Sequence, residues 1–177
     1  HLKANVGRIL CCSFKPMGQP QYTFSALEPK FKKADVYNDG DLALAIIEEL
    51  EKYDIIVGWN SKAFDGKFIN ARSLRAGSRT KDKQYHVDGM WSWRAKAAAW
   101  SGLAAVQQFI ASGGQEKTSI RWEQWMRAIG WDKTLREAAM AEIIDHCERD
   151  VIVLEEVYKL MVNANVVRSI RMDGGVL

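Results

Sequence analysis

The segment Asp54-Ile55-Ile56-Val57-Gly58-Trp59 is a short apolar run of the kind found in central strands, buried on both faces. Directly after it, Asn60-Ser61-Lys62-Ala63-Phe64-Asp65 leads into a helical pattern over Phe64–Ala76, with Gly77 placed as the C-cap. A strand that is apolar throughout needs cover on both sides, and a helix packed on the sheet provides it. This βα unit therefore points to a layered α/β arrangement.

The flanking segments agree. Val6–Phe14 reads as a largely buried strand, and Gln21–Phe24 as its antiparallel partner after a turn at Pro16–Pro20. Asp39-Gly40-Asp41 is an N-cap cluster ahead of the helical stripe Leu42, Ala45, Ile46 and Leu50. Tyr85–Met90 reads as one more short strand. From Trp91 onward the pattern is mainly helical. Gly102–Ala111 forms one helix, closed by Gly113-Gly114, and Arg121–Ile129 another, closed by Gly130. Thr134 is placed as the cap of a long helix through Leu160, whose positions Ile143, Ile144, Cys147, Val151, Leu154, Val157 and Met161 keep helical spacing. No repeat, linker or low-complexity tract interrupts the chain. Strands first and helices later predict a mixed sheet flanked by helices in a single domain over residues 1–177.

Composition excludes several classes. No apolar run approaches the ~18 residues that span a bilayer, and His1–Asn5 lacks the apolar stretch of a secretory signal. The expectation is a soluble cytoplasmic protein with no membrane partner. Cys11, Cys12 and Cys147 form an odd set without Cys-x-x-Cys spacing, so reduced, mostly buried thiols are expected rather than a disulfide framework or a zinc site. Net charge is only +3. Locally, Lys67, Arg72, Arg75, Arg79, Lys81 and Lys83 stand against Asp82, a stretch that could track a phosphate backbone or simply be a solvated helix face and loop. Neither a phosphate-binding Gly-x-x-x-x-Gly-Lys loop nor a Gly-x-Ser-x-Gly elbow occurs. Lys117, in the Gly113–Thr118 loop, could touch substrate. The tryptophans, Trp59, Trp91, Trp93, Trp100, Trp122, Trp125 and Trp131, read mainly as core, and only Trp59 adjoins a candidate site.

Two constellations could carry chemistry. Asp65 stands just beyond the carboxyl end of a buried strand, where ligands bind in open α/β sheets and where a carboxylate suits a hard cation. The structural alternative is that Asn60 or Ser61 caps the helix while Asp65 complements its positive end. The second constellation is His146-Cys147-Glu148-Arg149-Asp150. A spacing of four puts His146 and Asp150 on one helical face, one to hold a metal and the other to handle a proton. The alternative is a polar strip on a surface helix.

Taken together, the two are more specific. Asp54–Asp65 resembles the second exonuclease motif of DEDD-type 3′→5′ exonucleases, with the pattern apolar strand, Gly, aromatic, Asn, three residues, Phe-Asp, then a helix carrying an Arg, here Arg72. The chain is similar to the proofreading domains of family B DNA polymerases and their stand-alone relatives. His146–Asp150 followed by Val151 resembles the third motif, and Gly102–Phe109 the segment between the two. His146 stands where this branch usually has Tyr. The resemblance implies an Asp-x-Glu pair on a first strand just ahead of Leu2–Leu10, which would fall upstream of His1.

What the resemblance implies is a ribonuclease H-like α/β domain acting on single-stranded 3′ ends of DNA or RNA and releasing 5′-mononucleotides. Two divalent cations, Mg²⁺ or Mn²⁺, would be held by the Asp-x-Glu pair with Asp65 and Asp150. His146 would orient or deprotonate water, while Trp59, Asn60, Phe64 and Arg72 would position the terminal nucleotides. The rival expectation is a catalytically inactive nucleic-acid-binding or structural module of the same fold.

Overall fold

The computed structural model describes residues 7–31, 38–81, 84–97, 101–111 and 119–167, and the backbone of 171–172 and 175–176. Leu2–Val6, Lys83, Trp100 and the 113–118 loop with Lys117 lie outside the described residues. In chain order the elements are β1 (Cys11–Phe14), β2 (Tyr22–Ser25), α1 (Gly40–Leu50), β3 (Ile55–Gly58), α2 (Asp65–Arg75), β4 (Tyr85–Asp88), α3 (Gly89–Lys96), α4 (Leu103–Ile110), α5 (Trp122–Ala128), α6 (Lys133–Asn163), β5 (Arg171–Met172) and β6 (Gly175–Val176).

Strands β1 and β2 pair antiparallel, with Cys11 opposite Ser25 and Phe14 opposite Tyr22. Strands β3 and β4 pair parallel, Ile55 beside Tyr85 and Gly58 beside Asp88, so their carboxyl ends finish level. The expected mixture of parallel and antiparallel pairing is present. The first strand is shorter than Val6–Phe14, since residues 7–10 carry no regular structure. The strand expected over Tyr85–Met90 stops at Asp88 because the Asp88 carboxylate caps α3, accepting from Trp91 N.

Residues of β1 and just before it divide between two packed layers. Ile9 and Phe14 pack with Leu42, Ala43 and Ile46 of α1. Leu10 packs with Ala128 of α5 and with Ala139, Met140 and Ile143 of α6. The carboxyl half of α6 enters a different cluster, where Val153, Val157, Tyr158 and Met161 meet Val87 of β4, Trp93 of α3 and Val106 of α4. Burial of each such aliphatic side chain stabilises the fold by about 1.5–3 kcal/mol. The turn of α6 from His146 to Asp150 lies between these two packed stretches.

Two helix starts differ from expectation. Asp132, not Thr134, caps α6 and accepts from Leu135 N at 2.9 Å. Asp39 precedes α1 without capping it through its side chain. Its carboxylate instead accepts from Ile9 N at 2.6 Å and from Arg72 Nε at 2.8 Å. At the other end of α2, Gly77 follows the C-cap Ala76 with φ +74°, the left-handed geometry that favours glycine after a helix. All three cysteines are half-buried thiols outside any disulfide, and Cys11 Sγ donates to Cys147 Sγ at 3.6 Å.

Glu155 of α6 ties the β1–β2 connection to the helix. It lies 2.6 Å from Lys15 Nζ and 2.8 Å from Lys159 Nζ, and accepts from Gly18 N at 2.9 Å. Burial pushes its carboxyl up, but Lys15, Lys159 and the Gly18 amide more than offset this and hold it at about 2. The folded form therefore releases the proton more readily than the unfolded chain. Its stabilisation is complete above the ordinary carboxylate range near 4.5 and is lost as pH falls toward about 2. We expect Glu155→Gln to lower stability by about 1–2 kcal/mol at pH 7, discounted because both lysines reach solvent. Denaturant unfolding at pH 7 and pH 3 should show the gap between parent and variant narrowing at the lower pH.

Candidate functional site

The carboxyl ends of β3 and β4 build the first part of the site. Gly58 ends β3 because the chain folds back over it: a Cβ there would lie 2.0 Å from Ser61 Oγ. Asn60 takes φ +58°, and Ala63 N and Phe64 N both donate to Asn60 O, at 3.2 and 3.1 Å. This turn delivers the chain into α2 with Asp65 as its first residue.

Asp65 is exposed, at the helix end where partial positive charge favours an anion. Crowding by protein atoms, then the charge of Asp88, hold its carboxyl above its ordinary value, against a backbone hydrogen bond that lowers it. Contact with solvent screens this field. On β1, burial, then Asp65, then Cys147 push the Cys12 thiol up to about 12. Cys12 packs in the cluster that includes Phe68 and Ile69 of α2, while its neighbour Cys11 lies against Cys147, the α6 residue next to His146.

On α6, His146 Nε2 lies 3.8 Å from Asp150 Oδ2, bringing the pair together on one helical face as their spacing requires. That separation is too long for a direct hydrogen bond. Both side chains are largely shielded, at 14% and 29% exposure. Neighbouring polar groups are engaged elsewhere: Arg149 Nε donates to Asp145 at 2.8 Å, and Thr23 Oγ1 donates to Glu148 at 2.8 Å.

Among the residues expected at substrate, Phe64 is exposed, with its ring centroid 5.8 Å from that of Phe68. Arg72 is only 3% exposed and is paired with Asp39, so its guanidinium holds α2 to the residue preceding α1. Trp59 is also held within the fold. Its indole N–H donates to Ser101 O at 2.9 Å, and its ring lies where a Cβ on Gly89 would be 2.7 Å away. Within the basic stretch, Arg79 donates to both carboxylate oxygens of Glu51, and Lys81 Nζ donates to Gln84 at 2.7 Å. The tryptophans divide: Trp93 is core, while Trp91, Trp122 and Trp131 are exposed, Trp131 at 89%.

Sequence reading missed Asp88 and His86 of β4. Asp88 is 2% exposed, accepting from Asn60 N at 2.9 Å and Lys62 N at 3.0 Å. The signal was available, since an acid at the carboxyl end of a short strand invites the argument made for Asp65.

A family model of the RNase H superfamily, RNase_H_2, matches residues 16–162. The chain belongs to that superfamily, and its mixed strand pairing and flanking helices make an RNase H-like α/β fold. No curated protein matches it. Membership points to nuclease or other nucleic-acid-directed activity, and nucleases of this fold generally use divalent metals. Among the described residues, no group of three or more His, Cys, Asp or Glu side chains could hold a metal ion. Asp65 and Asp150 do not by themselves make such a site. No described helix is long and apolar enough to cross a membrane.

Proposed function

We propose that residues 1–177 form a 3′→5′ exonuclease domain that hydrolyses phosphodiester bonds of single-stranded DNA or RNA to 5′-mononucleotides. The supporting observation is the placing of β1: Cys12 packs in one cluster with Phe68 and Ile69 of α2, and Cys11 Sγ lies 3.6 Å from Sγ of Cys147, the neighbour of His146 on α6. Asp65 and Asp150 contribute anionic oxygens suited to Mg²⁺ or Mn²⁺, and a complete cation site needs further carboxylates from outside the described residues. His146 takes the proton of the attacking water, and Asp150 stabilises the imidazolium that results. Phe64 offers a ring face to the terminal base.

A second reading, a nucleic-acid-binding module without activity, is favoured by the lack of a three-ligand group among the described residues. The experiment that separates the two is mononucleotide release from a 3′-end-labelled single strand in Mg²⁺ or Mn²⁺, beside a binding measurement on the same strand. His146→Ala should slow release by about 10²–10⁴-fold, the usual contribution of a general base. His146→Tyr should retain activity, because tyrosine occupies this place in the resembling family. Unchanged release by His146→Ala contradicts the assignment.

A further inference from the structure

We propose that His86 and Asp88, alternate residues of β4, are positioning residues that clamp the Asn60–Lys62 turn and so fix where Asp65 stands, an inference that rests on the nuclease reading of Asp65. Alternate residues of a strand project from the same face. Here they meet three consecutive residues of the turn. Asp88 Oδ1 accepts from Asn60 N at 2.9 Å, and Asp88 Oδ2 accepts from Lys62 N at 3.0 Å. Between them, Ser61 Oγ lies 2.8 Å from His86 Nε2. Asp88 Oδ1 also receives the longer 3.4 Å bond from Trp91 N that starts α3.

The turn needs such a hold. Asn60 occupies left-handed backbone at φ +58°, a conformation uncommon outside glycine. Asp65 follows within one turn, after the reverse bond from Gly66 N to Ser61 O at 2.9 Å. A buried carboxylate is tolerated only when hydrogen-bonded, and both oxygens of Asp88 are so used, at 2% exposure. Their engagement with backbone amides separates Asp88 in role from Asp65, whose exposed carboxylate can meet a ligand. Burial, then the charges of Lys62 and Lys81, depress the His86 pKa, against Asp88. Ser61 Oγ and His86 Nε2 share one hydrogen bond, which ties the middle of the turn to β4.

The test is amide hydrogen exchange of the 177-residue protein, resolved by residue, with kinetics of nucleotide release as a second readout. Asp88→Asn keeps the shape but loses one acceptor. With Asn60 and Trp91 both donating to Oδ1, the remaining oxygen stays there and the new amide faces Lys62 N. We expect Lys62 exchange to accelerate about 10- to 100-fold, the worth of a hydrogen bond to a charged group, with Asn60 exchange little changed. Asp88→Ala should accelerate both. His86→Phe removes the Ser61 partner and should accelerate exchange in the turn while leaving β3 protected.

In the active protein, Asp88→Asn should lower kcat on the order of 10²-fold at nearly constant KM, as expected when a reacting group is misplaced. Unchanged Lys62 exchange in Asp88→Asn overturns the clamp. So does acceleration spread evenly over β3 and α2, which marks a general structural role, or a rise in KM alone. If a form carrying an Asp-x-Glu strand ahead of Leu2 releases no nucleotide, the nuclease reading fails while the exchange pattern still decides whether β4 holds the turn.

Discussion

Replacing Asp39 by asparagine is expected to destabilise the protein by about 3–5 kcal/mol, the usual penalty for breaking one side of a buried ion pair. Asp39 and Arg72 have side-chain exposures of 5% and 3%. Arg72 Nε lies 2.8 and 2.9 Å from the two Asp39 oxygens, and Ile9 N adds a third donor at 2.6 Å. The pair joins the entry to β1, the residue preceding α1 and the last turn of α2. Arg72→Met should cost a comparable amount, because it strands a buried carboxylate. Combining Arg72→Met with Asp39→Asn should cost clearly less than the sum of the two, since no unpaired charge remains. Thermal unfolding followed by circular dichroism reads this as a fall of roughly 10 °C for either single variant. Single variants within a degree or two of the parent would show that the pair does not hold these elements together.

This pair also marks how far the sequence was legible. The βα unit at Asp54–Ala76 was readable because strand burial and helical period are local signals, and β3 and α2 fall inside those bounds. The long helix was readable for the same reason, as was the meeting of His146 and Asp150 at a spacing of four. Asp39 and Arg72 were not. Their partnership spans 33 positions, which no periodicity registers. An aspartate ahead of a helix reads as a cap, and an arginine on a helix beside a motif reads as a substrate ligand. Asp88 was hidden differently: its partners are backbone amides, which leave no trace in side-chain patterns. The exposure of Trp122 and Trp131 depends on where α5 and α6 turn away from the core, again a tertiary matter.

The second large effect concerns chemistry. Asp65→Asn and Asp150→Asn should each reduce nucleotide release on the order of 10³-fold or more, a loss of several kcal/mol of transition-state stabilisation. Asparagine keeps the shape of aspartate and removes its charge, so the substitution withdraws one anionic oxygen from the proposed cation site. Neither substitution should harm folding. Asp65 is exposed at the start of α2, and the Asp150 side chain retains partial solvent contact at 29%. Single-strand affinity should persist in both variants, because phosphate contacts carry most of such binding. Loss of binding in step with activity would assign the two carboxylates to the fold instead.

The most direct measurement follows two labels on one strand. A form of the protein in which an Asp-x-Glu strand precedes Leu2 is incubated in Mg²⁺ or Mn²⁺ with strands labelled at the 3′ end or at the 5′ end. The 3′ label should appear as 5′-mononucleotide from the earliest time, while the 5′-labelled strand shortens one nucleotide at a time. Asp150→Asn should bind both strands and leave them intact. A parent protein that binds the strands and releases neither label, with either metal, contradicts the exonuclease account and supports a binding module of the same fold.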